Sequence, residues 1–378
     1  MQLKEAALYI HIPFCEHKCI YCDFYSVITK DNVEAYLNAL KKEVDHYAPL
    51  YSDGRIFTSI FFGGGTPSLM EPEYIEEILG SLRRHFRISD DAEITLETNP
   101  GTVSNEKLYE FLASGINRLS IGIQSFNDDE LKFLTRIHDR QTAINTILDA
   151  DKMGFKNINL DLIFNLPGQT KRKWLDNLET AVQLPVKHIS AYSLILERGT
   201  VLNKLVLDGK VKLQDADYDA GIYRITMDFL RSHRFHQYEV SNFAKQGFEC
   251  RHNNAYWHYR DYLSFGTSAH SFVNGRRWWN YSNISLYIKK ISETESAVAG
   301  FEELTESQML TEYIMLAFRS SGLNLAAFRE KFGDEWLESR QSQLKSFQRR
   351  GLLLFEDGHI HLTEKGYALC DEILEKIL

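Results

Sequence analysis

The stretch ALYIHIPFCEHKCIYCDFYS, residues 7–26, runs from an apolar segment straight into three cysteines. "ALYIHI" (7–12) is short, apolar and rich in strand formers, which predicts a β-strand. Cys15, Cys19 and Cys22 follow it in CxxxCxxC spacing, where that strand ends. The same order recurs downstream. "FTSIFFGGG" (57–65), "AEITLETNP" (92–100), "NRLSIGIQSF" (117–126), "NINLDLIFNLPGQT" (157–170) and "KHISAYSLI" (187–195) each run from apolar residues into polar or glycine-rich ones. Helical patterns separate them over 33–47, 71–86, 104–115, 140–154 and 174–184. Six strand–helix units predict an α/β fold with a parallel sheet and helices outside. Rolled into a barrel, that sheet brings its strand ends onto one rim. An open doubly wound sheet is the alternative.

The chain has 378 residues, 44 % of them apolar, enough to bury a large core beside one or two small units. Its net charge of −9 argues against general nucleic-acid binding. No apolar run approaches a membrane span, and "MQLKEAALYIHIPF" does not read as a signal peptide. Five cysteines, with Cys250 and Cys370 far from the cluster, do not form a disulfide framework, so a cytoplasmic location is expected. The organisation expected is a core over 1–210, an α+β extension over 211–300 and a winged-helix-like unit over 301–378. That last unit carries nine Lys/Arg against fourteen Asp/Glu, which favours packing or partner contact over DNA.

Three thiols are one short of a tetrahedral metal site. Zinc would need His11 or His17 as a fourth ligand. A four-iron cluster on three cysteines would leave one iron for another molecule. S-adenosylmethionine can take that position through its amino and carboxylate groups. A cradle for it would come from Gly63, Gly64 and Gly65, which let the backbone approach closely, and from Pro67. Glu97 and Asp161 end strands and suit ribose hydroxyls, Arg136 suits a carboxylate, and Gln124 and Tyr9 share the rim. Taken singly, each of these residues also fits a cap, a turn, a surface ion or the core.

Taken together, "YIHIPFCEHKCIYCDF", "FFGGGTPSLM", "ETNPGT", "GIQSFNDDELKFLTRIH" and "DLIFNLPGQT" resemble the radical S-adenosylmethionine superfamily, within it the oxygen-independent coproporphyrinogen III oxidase group. The resemblance implies a three-quarter (β/α)6 barrel. It implies Cys15, Cys19 and Cys22 as ligands of a [4Fe-4S] cluster. Tyr9, Gly64, Glu97, Gln124, Arg136 and Asp161 would contact S-adenosylmethionine, with Tyr21, Phe24, Gly65 and Thr66 at the edge of the site. Thr135 stands where the group commonly has glycine before the arginine.

The oxidases of this group carry CxxxCxxCxC and an N-terminal extension. Here Phe24 replaces the last cysteine and the motif begins at residue 15, so no lid is expected from the residues before Tyr9. Both departures point to the sister group of haem chaperones, marked by HNxxYW, here His252 to Trp257. That resemblance implies haem as a third bound group, with His252, Tyr256 and Trp257 at its site. His270 and Cys250 are further candidates for the iron ligand. It also implies transient contact with respiratory haem acceptors, at the membrane surface. Coproporphyrinogen III dehydrogenase and a radical enzyme of another substrate are the competing functions.

Overall fold

The computed structural model describes residues 3–29 and 31–378. Six parallel strands form the core: β1 Lys4–Ile12, β2 Arg55–Gly64, β3 Ile88–Thr98, β4 Arg118–Gln124, β5 Asn157–Phe164 and β6 His188–Ser193. They pair in chain order. Helices α1 Val33–Tyr51, α2 Pro72–His85, α3 Asn105–Ser114, α4 Asp128–Phe133, α5 Arg140–Met153 and α6 Lys171–Gln183 fill the connections. Their ends follow local chemistry. Ser104, Asp139 and Thr170 cap helix N-termini through their side chains. Gly115 and Gly154 close α3 and α5 in the left-handed conformation. Helix α2 buries Ile75, Ile78, Leu79 and Leu82, an apolar stripe at helical spacing.

Beyond β6 come α7 Val201–Leu207 and α8 Ala216–Ser232. The next segments extend the same sheet at both edges. Strands β7 His236–Gln237 and β8 Asn242–Ala244 continue it past β6, with β8 antiparallel to β6. After α9 Arg251–Trp257, strand β9 Asp261–Phe265 returns to the far edge and pairs parallel with β1. Strands β10 His270–Val273 and β11 Arg276–Asn280, helix α10 Ile284–Thr294 and strand β12 Val298–Glu303 follow. The result is one twelve-stranded, mostly parallel sheet with unjoined edges, an open barrel.

The last unit packs α11 Glu306–Phe318, α12 Leu325–Phe332 and α13 Glu335–Arg349 on a small antiparallel sheet. Its strands are β13 Leu323–Asn324, β14 Leu353–Glu356 and β15 His359–Leu362, the helix and hairpin order of a winged helix. It has its own core around Phe318, Phe328, Phe347 and Leu353. Contacts such as Val240 N–H to Arg319 O (3.0 Å) and Tyr259 Oη to Glu312 Oε2 (3.1 Å) seat it on the barrel.

Candidate active site in the barrel mouth

The C-terminal ends of the parallel strands surround a cavity of about 570 Å³. The loop after β1 forms one wall. It is held closed by Cys15 N–H to Val27 O (2.9 Å) and Val27 N–H to Pro13 O (2.8 Å). Ile20 N–H donates to Thr135 Oγ1 (3.2 Å), and Leu202 N–H to Ile20 O (2.9 Å). All three cysteine thiols line the cavity. Burial pushes the Cys15 thiol up and the Cys22 thiol to about 11.

The GGGTP turn runs beside that loop. Gly65 N–H donates to Ile12 O and Thr66 N–H to Phe14 O, both at 2.8 Å. A Cβ on Gly65 would lie 2.6 Å from Phe14 O, so only glycine allows this approach. Gly64 has φ +113 and gives its N–H to Glu97 Oε2 at 3.1 Å. Burial, then Asp161, pushes the Glu97 carboxyl up to about 8. Asp161 accepts from Asn159 Nδ2 at 2.8 Å and from Ser120 Oγ at 3.4 Å.

Arg136 ties these parts together. Its Nη2 donates to Asn99 Oδ1 and Gly122 O, each at 2.7 Å, and its Nη1 to Cys19 Sγ at 3.5 Å. Its buried Nε has no partner among the described residues. Burial disfavours its charge, but Tyr21 and Cys19 outweigh that and hold its pKa high. Asn99 also donates to Thr66 Oγ1 (2.9 Å), which lies 3.5 Å from Cys15 Sγ.

Of the cofactor residues expected from the sequence, Tyr9, Tyr21, Phe24, Gly64, Gly65, Thr66, Glu97, Gln124, Arg136 and Asp161 lie on this wall, whereas Gly63 and Pro67 of the expected cradle do not line it. Sequence reasoning missed Asn99, Asn159 and Ser190, and also Tyr192 near the end of β6 and Ile195 just beyond it. Asn99 was legible as the polar residue of a strand-ending TNP. The haem set divides. His252 and Tyr256 line the deep end of the cavity, as does Cys250, while Trp257 does not reach it. His270 is exposed and stacks on Trp279, away from this wall. His252 is 2 % exposed, with Nδ1 3.1 Å from Ser59 Oγ and Nε2 2.9 Å from Tyr256 Oη. An incoming porphyrin is therefore not offered a free nitrogen there. His17 instead lies exposed at the mouth.

Among the described residues, no three Cys, His, Asp or Glu side chains are already drawn together as a metal-ligand set. The donor chemistry nonetheless fits an iron–sulfur group. Three thiols face one cavity beside a guanidinium with an unpartnered N–H and a glycine turn too tight for any side chain. His11 does not suit zinc, since both its nitrogens are engaged, by Tyr9 Oη (3.1 Å) and Tyr25 O (3.0 Å).

A family model described as the Radical SAM superfamily matches residues 9–181, and one described as the HemN C-terminal domain matches residues 304–369. The first sets the class: a radical S-adenosylmethionine protein. The chain is 37 % identical to Heme chaperone HemW of Bacillus subtilis, over 98 % of both proteins. It is 33 % identical to Heme chaperone HemW of Lactococcus lactis, over 100 % of this chain and 98 % of that one. The solved structure of coproporphyrinogen III oxidase (HemN) from Escherichia coli superposes with a TM-score of 0.84 at 25 % identity, covering 100 % of this chain and 91 % of that chain. The chain belongs to the HemN/HemW family of that superfamily.

Proposed function

We propose that this protein is a haem chaperone that binds haem at the cavity mouth and passes it to haem-accepting respiratory proteins. Cys15, Cys19 and Cys22 would hold a [4Fe-4S] cluster. Gly64, Gly65, Glu97, Asp161 and Arg136 would hold S-adenosylmethionine beside it. Bound there, the pair would supply one-electron chemistry at the sulfonium. The residues around it bind and orient: Glu97 and Asp161 accept from hydroxyls, Arg136 pairs with a carboxylate, and Tyr9 and Phe61 exclude water.

One observation carries the haem reading. The mouth is rimmed by exposed apolar side chains, Phe24 (63 % exposed), Ile195 (66 %) and Tyr192 (40 %), all on the cavity wall. Exposed apolar surface of this kind marks a binding site. A flat macrocycle suits it, with the Lys18 ammonium on the same rim for a propionate and the His17 imidazole for iron. The HemW relatives support the same reading, and Phe24 in place of a fourth cysteine speaks against the oxidase reaction. A cytoplasmic location belongs to this proposal; no helix among the described residues is long and apolar enough to cross a membrane.

Anaerobic reconstitution followed by haem titration tests it. Haem binds the wild type, and Phe24→Ser with Ile195→Ser weakens that binding at least about tenfold, since each exposed side chain offers about 1.5–3 kcal/mol of burial. Conversion of coproporphyrinogen III to protoporphyrinogen IX with reductant and S-adenosylmethionine would overturn the chaperone reading in favour of the dehydrogenase.

A further inference from the structure

We propose that His252 is a positioning residue for Tyr9 on the cofactor wall, and that the HNxxYW segment serves the S-adenosylmethionine site from beneath rather than ligating haem iron. The inference rests on the cofactor reading above and does not depend on haem.

Helix α9 sits against β1, β2 and β9, below the strand ends that form the mouth. Its start is fixed to β3. Cys250 Sγ accepts the Asn253 N–H at 3.5 Å and donates to Glu93 Oε1 at 3.4 Å. The His252 N–H donates to the same oxygen at 3.2 Å. Arg251 Nη1 reaches Asp91 O (2.9 Å) and Oδ2 (3.0 Å). The backbone of His252 is thereby set at mid-strand depth, and its ring points into the barrel.

That ring is the base of an aromatic column. It stacks on Phe61 (4.9 Å between centroids, 25°) and Tyr9 (6.2 Å, 30°), and meets Tyr256 edge-on (5.0 Å, 85°). Tyr9 and Phe61 are cross-strand partners and also stack on each other (6.2 Å, 19°). On the other side Tyr9 meets the glycine turn: a Cβ on Gly63 would lie 2.9 Å from Tyr9 Cε2. Tyr9 is therefore held between the turn that cradles the cofactor and the imidazole of His252. Ser59 Oγ and Tyr256 Oη take the two ring nitrogens and lock the ring's rotation. Removing the imidazole leaves Tyr9 and Phe61 free to drop into the gap, away from the cofactor.

The ring is also poorly suited to iron. Burial holds its pKa down to about 3, so it stays neutral with one nitrogen donating and the other accepting. Coordination would require breaking the hydrogen bond to Ser59 or Tyr256 and bringing a macrocycle inside the barrel.

The test uses anaerobically reconstituted full-length protein and three readouts: iron content, S-adenosylmethionine affinity by equilibrium dialysis, and the axial-ligand bands of the haem complex. His252→Ala is expected to weaken S-adenosylmethionine binding about tenfold, in line with the loss of a stacked, packed ring. Iron content and haem bands stay as in the wild type. His252→Phe combined with Ser59→Ala and Tyr256→Phe keeps the stack and removes the two hydroxyls that would be stranded. It is expected to bind S-adenosylmethionine within about threefold of the wild type, and it carries the test if His252→Ala fails to fold. Native affinity in His252→Ala, no recovery in the triple variant, or altered haem bands in the triple variant overturns the inference. A wild type that binds no S-adenosylmethionine overturns the cofactor reading beneath it.

Discussion

The Gly64 N–H points at Glu97 Oε2 across 3.1 Å, joining the glycine turn after β2 to the end of β3. Two constraints make that contact possible. Gly64 holds φ +113, which L side chains rarely adopt, and a Cβ there would lie 2.5–2.8 Å from the His11 ring. His11 has no room to yield, since Tyr9 Oη and Tyr25 O bind its two nitrogens. Gly64→Ala is expected to cost at least about 2 kcal/mol of stability, combining left-handed strain with overpacking. It should also abolish S-adenosylmethionine binding. Urea unfolding and equilibrium dialysis check this, and an alanine variant with native stability and affinity contradicts it.

Substitutions at Cys19 and Arg136 should separate the two groups proposed to bind here. Cys19→Ala leaves two thiols, too few for a cluster on three cysteines, so reconstituted iron should fall far below about four per chain. Arg136→Lys keeps a charge but loses the fork that reaches Asn99, Gly122 and Cys19 together. Iron content should persist in that variant while S-adenosylmethionine affinity drops about tenfold, as expected for a lost charge-assisted pair. Parallel loss of both in Arg136→Lys would show the arginine to be structural for the cysteine loop.

The barrel was legible because its information is local. Each strand-to-helix unit carries its own apolar run and its own caps, such as Ser104 with Gly115 and Asp139 with Gly154. The site was legible because parallel strands bring successive loop residues to one rim, so Cys15, Gly64, Glu97 and Arg136 meet without any long-range guess. The stretch from 212 to 300 was not. Strand β9 joins β1 across some 250 residues of chain, and β7 and β8 are two and three residues long. Neither fact has a periodic signal. The same holds for His252: the motif was visible, but its burial behind Tyr9 depends on α9 entering the barrel from below.

Thr135 shows a local rule broken for a tertiary gain. Its φ is +56, a conformation costly for a β-branched residue, at the position where the family pattern has glycine. The hydroxyl offsets this by accepting the Ile20 N–H of the cysteine loop at 3.2 Å. Thr135→Val keeps the strain and strands that donor. It should lower stability by about 1–2 kcal/mol and slow cluster incorporation, while Thr135→Ser stays near the wild type. Equal stability of the valine and serine variants would remove the hydrogen bond from the account.

Glu43 on α1 makes stability depend on pH at a site remote from the cysteines. Its buried carboxyl accepts from Tyr287 Oη (2.6 Å), Gly266 N–H (2.8 Å) and Asn280 Nδ2 (2.5 Å), fastening β9, β11 and α10 to the barrel. Burial nonetheless outweighs these donors and raises its pKa from 4.5 to about 7. The folded chain then binds more protons than the unfolded one between those values. Stability from this group is fully present below pH 4.5, falls as pH rises towards 7, and is flat above. The slope is at most about 1.4 kcal/mol per pH unit, and the whole change is about 3 kcal/mol. Glu43→Gln removes the titration while keeping an acceptor for Gly266. Its new NH₂ can meet Asn280 Oδ1, which is buried without a partner among the described residues, once that amide rotates and gives up its bond to Gly266 O (2.8 Å). Urea unfolding from pH 5 to pH 8 should show the wild type losing stability relative to Glu43→Gln as pH rises. A difference that stays constant across that range would mean Glu43 keeps one protonation state throughout, and its three donors would then have to outweigh burial.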